Sequence, residues 1–132
     1  MGFIINFLLF NMAKTACWVF GAILAVVGLW GFVQNPVLDI FASNTIHSLV
    51  HLISGLVLLA TAMWWAESAG LILIVLGAVY AVIVVLGFTV SGDILGVIDN
   101  TTEDNWLHAA IAIVFLVLGF TGRSERQSQG GM

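Results

Sequence analysis

The sequence predicts an all-α fold, an integral membrane four-helix bundle, and three observations support this class. The 132-residue chain is 61% hydrophobic and only 8% charged, whereas a soluble domain carries about 25% charged residues. A chain of 132 residues has room for about four spans of ~20 residues with short connections. The second and fourth apolar runs both open on a polar stretch, and these stretches hold all three histidines. The bundle is therefore expected to consist of two tandem helical hairpins.

The chain divides into three parts by composition. Residues 1–13 are apolar but too short to span a membrane, so we expect an interfacial helix or an extension of the first span. Residues 14–122 form the four-span transmembrane domain. Residues 123–132 end in Gln, Ser and Gly, which predicts a disordered cytoplasmic tail.

Polar residues and helix-stop signals bound the predicted spans. The expected ranges are 15–33, 45–65, 69–90 and 104–120. Pro36 stops the first helix because it lacks a backbone donor and clashes with the preceding turn. Ser43 or Asn44 is the expected N-cap of the second span, and Glu67 and Ser68 form a tight turn before the third.

The few cations predict the orientation and location of the chain. Lys14, Arg123 and Arg126 all flank the same side of a four-span bundle, while the two long connections on the other side contain no Lys or Arg. Cytoplasmic flanks carry the excess of Lys and Arg, so both termini are expected in the cytoplasm. A net charge of −4 offers no basic patch for nucleic acid, and the partner that composition indicates is the lipid bilayer.

The two hairpins align when the Gly-Phe pairs at 31–32 and 87–88 are superimposed and one extra residue is allowed in the second connection. The copies then have the same orientation, which is a parallel repeat. Small residues are expected where the helices meet, because lipid provides no hydrophobic drive for association. The candidates are Gly21, Ala25, Gly28, Ser54, Gly55, Gly77, Ala81, Ala109 and Ala112.

Three motifs stand out in this apolar chain: Gly31-Phe32, Asn44-x-x-His47-x-x-x-His51 followed by Leu52 and Gly55, and Asp104-Asn105-x-Leu107-His108. On these motifs the chain resembles an uncharacterised family of bacterial four-helix integral membrane proteins, a domain of unknown function. The resemblance covers about Val19 to Phe120. It implies four spans in a bacterial cytoplasmic (inner) membrane and supplies no known activity.

The polar stretches contain a candidate metal site. The alignment pairs ligand-type residues of the second span with those of the fourth: His47 with Asp104, and His51 with His108. Residues spaced i, i+4 share one helix face, so both pairs lie at the same depth and converge if the second and fourth spans pack together. Three imidazoles and one carboxylate suit Zn²⁺, or Fe, Cu or Ni.

Two other interpretations use the same residues. Haem held by His51 and His108 is the first, with the small residues Gly55 and Ala112 one turn deeper leaving room for a macrocycle. The second is structural and needs no cofactor: Asp104 is a first-turn acid, and the histidines form a polar clamp with neighbouring residues. Those neighbours are Asn44, Thr45 and Asn105. We take the clamp without cofactor as the first interpretation.

Three functions remain open at this point. The first is a structural or accessory membrane protein that forms a homo-oligomer or docks on a larger membrane complex. The second is a metal- or haem-binding membrane protein, and the third is a small-molecule transporter, which the absence of charged residues in the middle of the spans disfavours. The sequence contains no phosphate-binding loop, nucleophile elbow or CxxC motif, so we do not expect an enzyme.

Overall fold

The computed structural model describes residues 1–90 and 92–130, apart from the side chains of Asn6, Phe10 and residues 124–130. The described part contains four α-helices. They are α1 (Gly2–Gly31), α2 (Thr45–Trp64), α3 (Ala69–Thr89) and α4 (Thr102–Gly130). A short 3-10 turn, Ala66–Ser68, joins α2 to α3. Each helix is long and apolar enough to cross a membrane, so the predicted all-α, four-span fold is confirmed.

Helix boundaries agree with the predicted spans most closely in the middle of the chain, at α2 and α3. α1 begins at Gly2 and continues without a break, so residues 2–13 belong to the same helix as the first span; their position at an interface stays a prediction. The part of α4 with membrane-spanning character ends at Arg123. The disordered tail is predicted for residues 123–132. The side chains of residues 124–130 and the whole of residues 131–132 lie outside the described part, so the disorder also stays a prediction.

Two tightly packed hairpins make up the bundle. α1 packs along α2, and α3 packs along α4, while the two hairpins meet mainly through α1 and α4. A core of small and apolar side chains runs between them, centred on Leu58, Leu73 and Phe115, which are fully buried. These packing contacts therefore place α1 next to all three other helices.

Glycines bring the backbones of α1 and α2 into direct contact. A Cβ atom added to Gly28 would lie 2.5 Å from the Leu52 backbone nitrogen and 2.8 Å from the Ser48 carbonyl oxygen. Gly55 in turn faces the backbone of Ala25. Small residues allow this approach, and the resulting dispersion contacts hold helices together where lipid offers no hydrophobic drive.

The second hairpin uses the same contact at the matching position. A Cβ atom on Gly21 would lie 3.0 Å from the Leu59 backbone nitrogen, and one on Gly77 would lie 3.1 Å from that of Leu116. The offsets, 56 residues for the glycines and 57 for the leucines, are those of the predicted alignment with its one extra residue. The duplication itself stays a prediction.

The two long connections, between α1 and α2 and between α3 and α4, form the same kind of turn. We call the end of the bundle where they lie the connection end. The Val37 amide donates to the Phe41 carbonyl at 2.8 Å, and the Ile94 amide donates to the Ile98 carbonyl at 2.9 Å. Inside each turn a leucine adopts a left-handed conformation, Leu38 with φ 53° and Leu95 with φ 54°. These paired turns cover the N-termini of α2 and α4, where the histidines lie.

Replacing Gly28 by Ala tests the importance of the glycine contact. The added methyl group would overlap the α2 backbone, so the free energy of unfolding should fall by about 1–3 kcal/mol. The matched control is Val26→Ala, because Val26 lies on the same helix and is 58% exposed. Thermal unfolding in mild detergent measures both, and equal midpoints for the two variants would contradict the proposed role of the contact.

Candidate metal centre

The three histidines meet at the connection end. His47 and His51 come from α2 and His108 from α4, with exposed fractions of 3%, 9% and 4%. Their ring centroids are 4.5 Å (47–51), 5.6 Å (47–108) and 5.7 Å (51–108) apart. One ring nitrogen from each lies within 4.8 Å of the other two. We call these three residues the histidine triad.

The start of α2 explains how two members of the triad reach the same place. Asn44 caps the helix, and its side-chain oxygen accepts a hydrogen bond from the His47 amide at 2.9 Å. The cap fixes the helix start one turn before His47, so His47 and His51 project from the same face one above the other. The predicted N-cap at Ser43 or Asn44 is therefore Asn44.

The triad has unsatisfied polar atoms. Within the described part of the chain, the buried Nδ1 atoms of His47, His51 and His108 have no hydrogen-bond partner. Leaving a buried polar atom unpaired costs about 1–3 kcal/mol. The rings border a cavity of about 10 Å³, which is roughly the space of one water molecule or one ion.

Two polar residues outside the predicted set also line this cavity. They are Tyr80 of α3, whose ring centroid lies 5.4 Å from that of His108, and Asn100 of the second connection. The Tyr80 hydroxyl and the Asn100 side-chain oxygen are buried without a hydrogen-bond partner among the described residues. Tyr80 is the single tyrosine of the sequence, and its isolated hydroxyl in a highly apolar span predicts an interhelical hydrogen-bond donor without indicating that it lies beside the histidines.

Asp104 does not join the three histidines. Its Oδ2 atom accepts hydrogen bonds from the Thr101 amide at 2.8 Å and from the Thr101 hydroxyl at 2.9 Å. The Thr101 hydroxyl in turn accepts from the Asp104 amide at 3.2 Å. This reciprocal arrangement is a capping box, so Asp104 has the first-turn role of the structural interpretation. Among the described residues, the converging set consists of His47, His51 and His108.

The described residues do not fit haem between His51 and His108. The space expected beside Gly55 is filled by the α1 backbone at Ala25. Ala112, the matching residue of α4, is 4% exposed and belongs to the packed core. The cavity that the triad borders measures about 10 Å³, which has room for an ion and none for a macrocycle.

One side chain of the predicted clamp links the two hairpins. The Asn44 amide nitrogen donates to the Val97 carbonyl at 2.7 Å and to the Asp99 carboxylate at 3.2 Å. The matching contact from α4 differs, because Asn105 packs against Gly87 and its oxygen lacks a partner among the described residues. The link between hairpins is thus asymmetric and depends on Asn44.

The fold and the triad together define a small four-span membrane protein with a buried polar centre at one end of its bundle. The chain belongs to the family described as Domain of unknown function (DUF4383), which matches residues 34–121. This confirms the resemblance to an uncharacterised family, and the matched region contains the whole triad. No curated protein and no solved structure matches the chain.

Substitutions at Asn44 separate its two roles. Asn44→Ala removes both the helix cap and the link to the second connection, which should cost about 1–2.5 kcal/mol. Asn44→Ser keeps a capping oxygen and loses only the link, so its cost should be about 0.6 kcal/mol. Thermal unfolding in detergent should rank the wild type above the Ser variant and the Ser variant above the Ala variant. A Ser variant as unstable as the Ala variant would contradict the capping role.

Proposed function

We propose that this membrane protein binds one divalent transition-metal ion through His47, His51 and His108. The observation that supports this is the approach of three buried ring nitrogens to within 4.8 Å, around Nδ1 atoms that lack partners in the described part of the chain. Neutral imidazole is a good ligand for Zn²⁺, Cu²⁺ and Ni²⁺. A single ion would satisfy three nitrogens at once, which the predicted clamp does not.

The size of the site agrees with an ion of this kind. Zn–N bonds are about 2.0–2.1 Å long, so the rings need to close by roughly an ångström around the 10 Å³ cavity. Three histidines leave a fourth coordination position open, as in catalytic zinc sites. Water, or a group from a bound molecule, would occupy that position.

The surroundings of His47 offset the charge of a buried dication. The carboxylates of Asp99 and Asp104 lie close enough to act electrostatically on the His47 ring. Backbone groups of Ala42 and Asp99 also lie near this side chain. Metal-bound histidines usually donate their second ring N–H to a carbonyl or carboxylate, which orients the ring, and these neighbours would supply that support.

The predicted topology places the ion near the outer face of the membrane. If both termini are cytoplasmic, as Lys14 and Arg123 indicate, the connection end faces outward in a bacterial cytoplasmic membrane. The connections carry Asp39, Asp93 and Asp99, and these acids would attract cations to that surface. The role of the site would then be metal binding or handling at the outer leaflet.

Metal analysis of the purified protein tests this function. Metal-depleted protein in mild detergent, incubated with Zn²⁺ and freed of excess, should retain one zinc per chain by elemental analysis. His47→Ala and His108→Ala should each lose it, whereas Asp104→Asn should retain it at a lower affinity, because the Asp104 carboxylate is bonded to Thr101 and acts on His47 only through its charge. Zinc at 100 times its dissociation constant should also stabilise the wild type by about 2.7 kcal/mol. A wild-type protein without zinc, or zinc retained by both Ala variants, would contradict the proposal.

A structural or accessory role is the second candidate, and the exposure of α3 favours it. Of the residues in the most apolar stretch of α3, 17% are buried, whereas the same share is 33–44% in the other three helices. α3 therefore has a broad surface that meets either lipid or another protein. Self-association of this chain, or docking on a larger membrane complex, would cover it.

A matched pair of substitutions tests self-association through α3. Val82 of α3 is 59% exposed and Val26 of α1 is 58% exposed. Val82→Trp should lower the oligomeric fraction measured by light scattering in detergent, because the larger ring disturbs helix packing, while Val26→Trp should not. A wild-type chain that is monomeric, or equal effects of the two substitutions, would exclude self-association through this face.

A further inference from the structure

A second, larger cavity lies beside the triad. It is a groove of about 380 Å³ between α1 and α4, roofed by the first connection. Its walls are apolar for most of their length, formed by Phe20, Leu24 and Val27 of α1 and by Leu107 and Ile111 of α4. Leu107 is 44% exposed, so the groove opens on the surface that faces lipid.

One end of this apolar groove is polar. His51 and His108 line both the groove and the small cavity, whereas His47 lines only the small cavity. Both shared histidines are at least 91% buried, and both have an Nδ1 atom without a partner among the described residues. The groove therefore joins a long apolar wall to imidazoles that still have hydrogen-bonding capacity.

The charges at the groove determine which head group fits. Of the described residues, none of those lining the groove is Lys or Arg, so a phosphate or carboxylate head would lack a cationic partner. It would also face Asp104, which lines the groove. The Asp104 carboxylate is in turn engaged by Thr101, which makes it a poor partner for a cationic head. The head group that fits is neutral and forms hydrogen bonds with imidazole.

We propose that this groove binds a neutral, lipid-soluble molecule with an oxygen-bearing ring as its head, of the class of quinones and phenols. The carbonyl or hydroxyl oxygen on the ring would form a hydrogen bond with His51 or His108. The apolar body of the molecule would lie along Val27 and Ile111. A volume of 380 Å³ is in the range of small-molecule sites, about 300–1,000 Å³. The open side would let an alkyl tail extend into the bilayer. The ion and the ring oxygen would use the same Nδ1 atoms of His51 and His108, so this binding is proposed for the metal-free protein.

The two sites can be separated because each has a residue of its own. The probe is a decyl-substituted benzoquinone, titrated into the metal-depleted protein in mild detergent and followed by calorimetry, while zinc binding is measured in separate samples. Val27→Phe, which fills the groove, should weaken binding at least tenfold and leave bound zinc unchanged. Val26→Phe, on the neighbouring exposed residue, should leave both unchanged. His47→Ala should abolish zinc binding and change quinone affinity less than twofold.

The head-group contact is tested with the histidines and with a probe that lacks oxygen. His51→Leu or His108→Leu should weaken quinone binding at least fivefold, and decylbenzene should compete poorly with the quinone. Three results would each overturn the proposal: no quinone binding to the wild type, equal affinity in the Val27→Phe variant, or equal competition by decylbenzene. The last would show that the groove takes an acyl chain only. Because the zinc results are independent, either site can fail without the other.

Discussion

The close approach of helix backbones within each hairpin is the constraint on which the rest of this bundle depends. Gly28 lets α1 touch the backbone of α2 at Ser48 and Leu52, and Gly77 serves α3 and α4 in a similar way. Lipid tails are as apolar as leucine, so these contacts replace the hydrophobic drive of a soluble core. Once each hairpin is held in this way, its connection and its helix N-termini are fixed at one end of the bundle.

The residues that cap α2 and α4 lie next to the candidate site. The first four amides of a helix need partners outside the helix, and in a bilayer those partners must come from the protein. α2 uses Asn44 and α4 uses the Thr101–Asp104 box. These caps gather polar side chains at the connection end, and the histidine triad lies directly beneath them. The triad differs from the caps in one respect, because its Nδ1 atoms lack partners among the described residues.

Much of the fold could be predicted from the sequence because hydropathy and spacing determine it directly. Apolar runs of about 20 residues predict spans, and the i, i+4 spacing of His47 and His51 predicts a shared helix face. The sequence left two roles open for Asp104, since a carboxylate in the first turn suits a cap and a metal equally well, and its bonds to Thr101 favour the cap. Gly55 shows a similar limit: a glycine against a neighbouring backbone and a glycine beside a cavity look the same in sequence. Tyr80 comes near His108 only through the docking of the two hairpins, which no local pattern encodes.

The division of the triad between hairpins has a consequence for assembly. His47 and His51 belong to the first hairpin and His108 to the second, so neither half completes the site alone. Each hairpin is internally closed by its own glycine contacts, and the hairpins meet through a smaller interface, mainly α1 with α4. Two chains that exchanged one hairpin would therefore still contain two intact triads. Occupation of the site would report that complementary halves have docked, whether they come from one polypeptide or from two.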